Sequence, residues 1–588
     1  MQMKVKEIKE TPIWSLYEKG RNYHRLTGIY SDTDRNHRMY NGNQWEGAKL
    51  GGVEPLQLNV LKPIVKYKVA VIHNNLYEIV YSSQNYENPT FQREAERYCK
   101  LLNGYARRLW EKDQMDYKGR KVTKDAAIND EGIIYIDFDK EKMTPVHEIV
   151  DKNDIYYGNE NDDDIQNQPY ILIRKRMPVS SAIELALKKG MDKSKESFIV
   201  GDNDNFEESG EAAKFEVDSK ATIVYKMYKK DGSVHFSAAT RWVNIIEDID
   251  LGISLYPVAH FVWEEKKGSA RGEGEVRHQI PNQIEINRTI MRRVLTVKNQ
   301  AYPQKVVDIN KIANPQALNS VGSTIRVTGT VDDVHKIVGA IPPAHMSPDV
   351  KNLQDDLIHI TRELAGAGET ATGQVNPETA SGRAFLVIQQ ASQEPITEQK
   401  EGYKTFIENI AKINLEYLVA YAKDGINMEE RLPDPKTGTE VVRMVNIPQS
   451  ALQQLKATVK IDITPKGVYD RLAMEQTMEN FLMQGFFTAQ RVGELEAYLQ
   501  ALPDDATTPK RALLACVENI KKNQQKIAQI QSAVQRYQQR AQQFIMDGPE
   551  GQASRLADVK MQLMARQQGN LGASVVAKEQ EIDKVEKG

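Results

Sequence analysis

Two helix-periodic stretches, Val276–Lys298 and Asp349–Ala365, enclose a segment, Gln300–Met346, whose runs Lys305–Asp308, Ser323–Thr328 and Val334–Val338 read as short strands. Few folds accommodate that nesting. Ile280, Ile284, Ile290, Met291, Val294 and Leu295 give the first helix an apolar side, and Val350, Leu353, Leu357, Ile360 and Leu364 do the same for the second. At about 1.5 Å per residue, helices of this length reach roughly 25 to 35 Å, enough to hold a small β-containing module away from a main body.

What precedes the first of these helices is a helical part and then a β-rich one. Thr11-Pro12 is an N-cap followed by a helix-opening proline, with Ile13, Trp14, Leu16 and Tyr17 able to share one face. Helical spacing returns over Leu58–Asn75, Pro89–Lys112 and Asp113–Asp130. From Glu131 the pattern turns β-branched and aromatic, in Gly132–Phe138, Tyr170–Arg174, Ala221–Tyr228 and Val258–Trp263, with Lys230-Asp231-Gly232-Ser233 as a hairpin turn. The acidic runs Asn159–Asp164 and Asp202–Glu208 lack calcium-loop spacing and are expected to be solvated loops.

Beyond the second enclosing helix, Gly366–Gly382 is too rich in Gly, Thr and Pro for regular structure. A long helical pattern then covers Arg383–Lys423, with Tyr403, Phe406, Ile410, Ile413, Tyr417 and Tyr421 on one side and Pro395 expected to bend or interrupt it. Glu440–Ile447 and Ala457–Ile463 read as strands flanking or following the turn at Pro433–Gly438. Past Pro465 the pattern is helical, and Leu513, Cys516, Ile520, Asn523, Ile527, Ile530, Val534, Tyr537, Ala541 and Phe544 alternate steps of three and four in the manner of a coiled coil. The fold class is therefore α+β, mainly α.

Composition narrows the function. The 588 residues exceed what one compact domain usually holds, and a net charge of −3 carries none of the basic excess of a tight nucleic-acid clamp. Two cysteines, Cys99 and Cys516, exclude a disulfide framework within the chain; both are expected to be packing residues. An apolar leader and a membrane-length apolar run are both lacking in the sequence, so secretion and membrane insertion are not expected. No glycine precedes Lys-Ser or Lys-Thr, which removes a Walker-type ATPase, and Gly366, Gly368 and Gly373 lack dinucleotide-fingerprint spacing. His147-Glu148 has no second histidine at zinc-protease spacing and is expected to be a surface pair. Neither a catalytic group, a metal nor a cofactor is expected, although a carboxylate site assembled in space is a rival reading.

Several stretches, in order, resemble tailed-bacteriophage portal proteins over about Leu56 to Thr464. These are Leu56-Gln-Leu58 to Ile72, Ala126-Ala-Ile-Asn-Asp-Glu-Gly132, Pro281-Asn-Gln-Ile-Glu-Ile-Asn287 and Thr379-Ala-Ser-Gly-Arg-Ala-Phe385. The resemblance implies a homododecameric ring at one capsid vertex, with wing, stem, clip and crown regions around a DNA channel. By position, residues 1–273 and 382–466 would form the wing, 274–299 and 349–368 the stem helices, 300–348 the clip, 369–381 the tunnel loop, and 467–588 the crown and tail. It further implies a virion protein, assembled in host cytoplasm, that nucleates the procapsid with major capsid and scaffolding proteins. Its clip would dock the terminase large subunit, which supplies ATP hydrolysis, and then a head-tail adaptor.

Candidate residues follow from those positions. Glu369, Thr370, Thr372, Gln374, Asn376 and Thr379 would meet DNA from the tunnel loop; Lys305, Asp308, Lys311, Asp332 and Asp333 would be the docking face of the clip. On the first stem helix Arg277, Arg288, Arg292, Arg293 and Lys298 outnumber Glu275 and Glu285. Arg288, Arg292, Arg293 and Lys298 would then face the lumen, or else the three arginines pair with Asp355, Asp356 and Glu363 of the other stem helix or of a neighbour. The alternative to a portal is a virion scaffold or tail-connector protein that oligomerises through its C-terminal seam.

Overall fold

The computed structural model describes residues 9–46, 54–83, 89–202, 219–301, 349–368, 394–433, 440–455 and 457–465, most of 305–341, position 347 and scattered positions from 480 onward. The chain is mixed α and β and divides into two compact units, Met1–Lys466 and Gly467–Gly588.

The first unit opens with helices α1 (Pro12–Thr27) and α2 (Ile29–Asn41), joined through Gly28, whose φ of 77° ends one and begins the other. Thr11 caps α1 as its sequence predicts: its Oγ1 accepts from Trp14 N at 3.3 Å and donates to Thr240 O at 2.9 Å. The cap therefore also ties the helix to a sheet, on which Ile13, Trp14 and Tyr17 pack against Tyr156, Leu172 and Val224.

Next come α3 (Leu61–Ile72), β1 (Asn75–Ser83), α4 (Pro89–Lys112) and α5 (Met115–Ile128). The strand β1 is not among the expected elements. Its buried Tyr77, Ile79 and Tyr81 alternate with less buried neighbours, the period of a half-buried strand, and its partner β14 (Ala457–Pro465) lies nearly four hundred residues away.

Two antiparallel sheets follow. β2 (Glu131–Asp139) is central to one, between β3 (Thr144–Val150) and β9 (Val258–Val262). The other runs in chain order through β4 (Ile155–Tyr157), β5 (Ile171–Pro178), β6 (Lys220–Lys230), β7 (Ser233–Ala239) and β8 (Asn244–Asp250), with helix α6 (Val179–Lys188) after β5. The expected hairpin closes β6 on β7 by pairing Lys230 with Ser233, and positive φ at both Asp231 and Gly232, 54° and 87°, matches the strand twist.

The enclosing helices are α7 (Glu275–Ala301) and α8 (Asp349–Leu364), and between them β10 (Lys305–Val307) pairs with β11 (Val338–Ala340). Ser323–Thr328, expected as a strand, makes a single bridge between Val327 and Ile312 among the described residues; Gly322 and Gly329, at φ 74° and 93°, break extension at either end. Helix α9 (Thr397–Tyr421) is the axis of the core. Tyr403, Phe406, Ile410, Ile413 and Tyr417 are buried as expected, and so are Ile407, Ala411 and Leu418, which widens the apolar side. Tyr417 donates to Ile136 O at 3.1 Å and Tyr81 to Ala411 O at 3.0 Å, fastening α9 to two sheets. Pro395 interrupts the pattern, as one of the two expected outcomes, and does not bend the helix. It lies in the short 3-10 turn Glu394–Ile396 ahead of α9, where a missing N–H leaves no bond unmade. The hairpin β12 (Ile426–Pro433) with β13 (Glu440–Ile447), then α10 (Gln449–Gln454), lead into β14. Among the described residues no helix is long and apolar enough to cross a membrane.

In the second unit, α11 (Val492–Ala501) buries Leu499 against Val517, with Leu495, Tyr498 and Leu514 around them. Seam positions Leu513, Ile520, Ile527, Ile530 and Val534 are exposed, and so is Cys516, which is therefore not the packing residue expected; the helix turns Val517 inward instead.

Candidate functional site

The enclosing helices are rooted in the body by side chains of the Pro281–Asn287 segment. Gln283 and Asn287, one turn apart and both buried, bracket an extended stretch ahead of α3. Val60 N donates to Gln283 Oε1 at 2.9 Å, Gln283 Nε2 donates to Leu58 O at 2.6 Å, and Leu58 N donates to Asn287 Oδ1 at 3.2 Å. Two helical amides thus satisfy backbone that would otherwise need a strand partner. Below them Ile286 and Ile290 share a cluster with Val60, Ile64, Ala365 and Ala367, while further out Arg293 Nη1 reaches Gln354 Oε1 at 2.5 Å. The contacts run in opposite order along α7 and α8, so α8 returns beside α7.

The two helices bury different amounts of their length. α7 is buried at intervals from Glu275 to Met291, whereas Val294, Leu295 and Val297 farther along are 36%, 37% and 63% exposed. On α8 the fully buried side chains are Gln354 and Thr361, and part of the apolar stripe is turned outward: Leu353, Ile360 and Leu364 are 51%, 51% and 72% exposed. Of the apolar side read from the sequence, Leu357 packs with Ile358 against the Ile286 and Ile290 cluster, whereas Leu353, Ile360 and Leu364 are left to solvent.

The stem cations find partners the sequence did not suggest. Arg288 and Arg292 pair with Glu285 of their own helix at 3.5 and 3.0 Å, and Arg277 lies 3.9 Å from Asp32. Arg293 bonds the neutral Gln354, so within one chain none of the three arginines forms the expected pair with Asp355, Asp356 or Glu363 among the contacts described; Glu285, about one turn before Arg288 and two before Arg292, takes two of them on their own helix. Lys298 is exposed. In the module between the helices, Lys305 Nζ donates to Leu318 O at 2.7 Å, Asp308 Oδ1 accepts from Asn310 N at 3.1 Å, and Lys311 stands 3.9 Å from Asp308. Asp333 is described; Asp332 and the loop candidates Glu369, Thr370, Thr372, Gln374, Asn376 and Thr379 lie outside the described residues.

Just ahead of α7 sits a charged cluster that sequence reading missed. Arg271 is buried, and its guanidinium pairs with Glu131 at the start of β2, with Glu160 at 2.9 Å, and through Nη2 with His24 Nε2 at 2.9 Å. Glu131 also accepts from Tyr157 at 3.0 Å and lies 2.8 Å from His260. Burial alone would raise the Glu131 carboxyl, but Arg271 and His260 outweigh it and hold it down at about 2. His24 is pushed down to about 4, by burial first and by the Arg271 charge second. Glu160 is therefore not part of a solvated loop, as expected for Asn159–Asp164; its neighbours Asn161, Asp163 and Asp164 are exposed. The only local hint was an arginine in a glycine-rich junction, Gly268–Gly274, whose partners are all far off in sequence.

His147 is a second correction. It is 3% exposed, with Nδ1 2.7 Å from Asp113 Oδ2 and Nε2 3.1 Å from Asn414 Oδ1, because β3 alternates its faces: His147 turns toward α9, while Val146 and Glu148 face out, Glu148 toward Lys175. Although burial raises the Asp113 carboxyl, the hydrogen bond and charge of His147 bring it below the ordinary value. Cys99 is buried, as expected. Among the described residues no group of three or more His, Cys, Asp or Glu is placed to hold a metal ion.

No protein-family model matches the chain, and no curated protein matches it.

Proposed function

We propose that the chain is one subunit of a phage portal, a non-enzymatic ring at a capsid vertex through which double-stranded DNA is packaged and ejected. The observation that carries this reading is the outward stripe Leu353, Ile360 and Leu364 on a helix that returns from a small projecting module. A helix ordinarily buries its apolar side, and one that packs Leu357 and Ile358 against its own chain yet leaves Leu353, Ile360 and Leu364 exposed has apolar surface to offer another partner. Copies of the same chain, arranged about an axis, supply that partner to every subunit at once. The clip, 300–348, would then dock terminase and later a head-tail adaptor, and capsid and scaffolding proteins would meet the wing.

A second reading, a scaffold or tail connector, draws on the C-terminal helix, where Ile520, Ile527, Ile530 and Val534 are 44%, 54%, 62% and 47% exposed. Negative-stain microscopy of purified full-length protein separates the two. Closed rings with an axial hole wide enough for a duplex support the portal; fibres or small oligomers without a hole support the connector; compact monomers reject both.

A further inference from the structure

Away from the enclosing helices, α3 and α5 leave between them an open cavity of about 320 Å³, within the range of small-ligand sites. Lys66 lines it from α3, Arg120 and Lys124 line it from α5, and Asn74 closes the end of α3. Its remaining wall is His73, the aliphatic side of α3 and the buried ring of Tyr40, and among the described residues no carboxylate lines it. The aromatic wall gathers charge of the same sign: Lys124 Nζ stands 5.2 Å and Lys62 Nζ 5.9 Å from the centroid of Tyr40. Asp125, next in sequence to Lys124, does not line the cavity, and burial followed by the charge of Asp151 pushes its carboxyl up to about 6.

Three cations around one cavity with no counter-charge in its lining repel one another, and an arriving anion relieves that repulsion. A phosphate, with two free oxygens and one charge as a backbone diester and with a third oxygen and close to two charges as a monoester, engages the planar fork of Arg120 and both ammonium groups together. We propose that this cavity binds a phosphate group, carried on a free nucleotide or on a nucleic-acid backbone. Arg120 would hold two phosphate oxygens, Lys66 and Lys124 would balance the charge from opposite helices, and on a monoester the Asn74 amide would donate to the third oxygen. The inference is independent of ring assembly, since the cavity is lined wholly by α2, α3, α5 and the turn after α3.

The test uses the full-length chain at low salt and three probes, inorganic phosphate, dAMP and a labelled duplex of about 20 base pairs. At least one probe should bind, and the combined Lys66→Gln, Arg120→Gln, Lys124→Gln variant should weaken that probe by at least roughly tenfold while melting at the wild-type temperature. For the duplex, loss of these cations should also flatten the slope of log Kobs against log salt by about two to three. Binding of dAMP within about tenfold of the duplex assigns the phosphate to a free nucleotide. Binding of the duplex alone assigns it to the backbone. Should the combined variant melt early, Lys66→Glu, at an exposed position, carries the test and has to weaken the bound probe at least about threefold. Failure of all three probes to bind the wild-type chain, or binding unchanged in the variants, overturns the proposal.

Discussion

Lys68 Nζ lies 2.6 Å from Glu275 Oε2, and the two side chains are 10% and 11% exposed. This ion pair joins the middle of α3 to the first residue of α7, where a carboxylate also meets the positive end of the helix dipole.

Removing one partner of that pair strands a buried charge. Lys68→Met should therefore lower stability by about 3 kcal/mol, whereas Lys68→Met with Glu275→Leu should recover most of it, because an apolar pair of similar volume carries no desolvation cost. Urea unfolding followed by tryptophan fluorescence reads the effect, since all five tryptophans precede Lys466. A double variant as unstable as the single one would show that the cost is lost packing and not lost charge balance.

The Arg271 cluster makes stability depend on pH in a defined direction. His24 accepts from Arg271 only while neutral, and its pKa falls from 6.5 to about 4 on folding. The unfolded chain therefore binds the proton more readily, so this contribution is fully present above pH 6.5, declines as pH drops, and is gone below about 4. At about 1.4 kcal/mol per unit the loss is about 3 kcal/mol. Glu131, held at about 2, adds a further loss in stronger acid, partly offset by Asp130, whose carboxyl burial raises. His24→Gln keeps an acceptor for Arg271 without titrating, and should flatten the urea midpoint between pH 6.5 and 4.

Gln283 and Asn287 bond each other, and Asn287 bonds Gln44, while together they hold the backbone of Leu58 and Val60. Gln283→Ala should leave the Val60 amide and the Leu58 carbonyl unpaired, at about 1 to 3 kcal/mol. Hydrogen exchange at Val60 should accelerate while amides of β2 keep their protection. Equal acceleration in both places would mean that the bracket supports the whole unit and not this segment alone.

Legibility in the sequence followed the range of the interaction. The cap at Thr11, the α4 limits at Pro89 and Lys112 and the 230–233 turn depend on neighbours within a few residues, and the sequence states them directly. β1 escaped notice because its alternation of Tyr77, Ile79 and Tyr81 is short, and the pairing that stabilises it, Ile79 with Ile461, spans most of the unit. Arg271, Glu131, Glu160 and His24 come from four separate elements, so no local spacing could join them. The α8 stripe was legible as apolar but not as outward, since helical periodicity marks a face to be covered without saying which chain covers it.

That face offers the most direct test of the ring. Leu353, Ile360 and Leu364 spend roughly half or more of their surface in water in the single chain, so replacing all three with serine removes little intramolecular packing, and each site should change monomer stability by no more than about 0.5 kcal/mol. Ile290, 5% exposed beneath the same helix, is the contrast: Ile290→Ala opens a void in the α3, α7 and α8 cluster and should cost about 2 to 5 kcal/mol. Sedimentation velocity and negative stain then divide the two roles. The triple serine variant should melt like the wild type yet sediment as a subunit, because each copy loses apolar contact with the next around the ring. The Ile290→Ala variant should melt early yet still form rings below its transition. Wild-type rings from the serine variant would remove α8 from the subunit interface, and a large drop in its melting temperature would mean the stripe packs within its own chain.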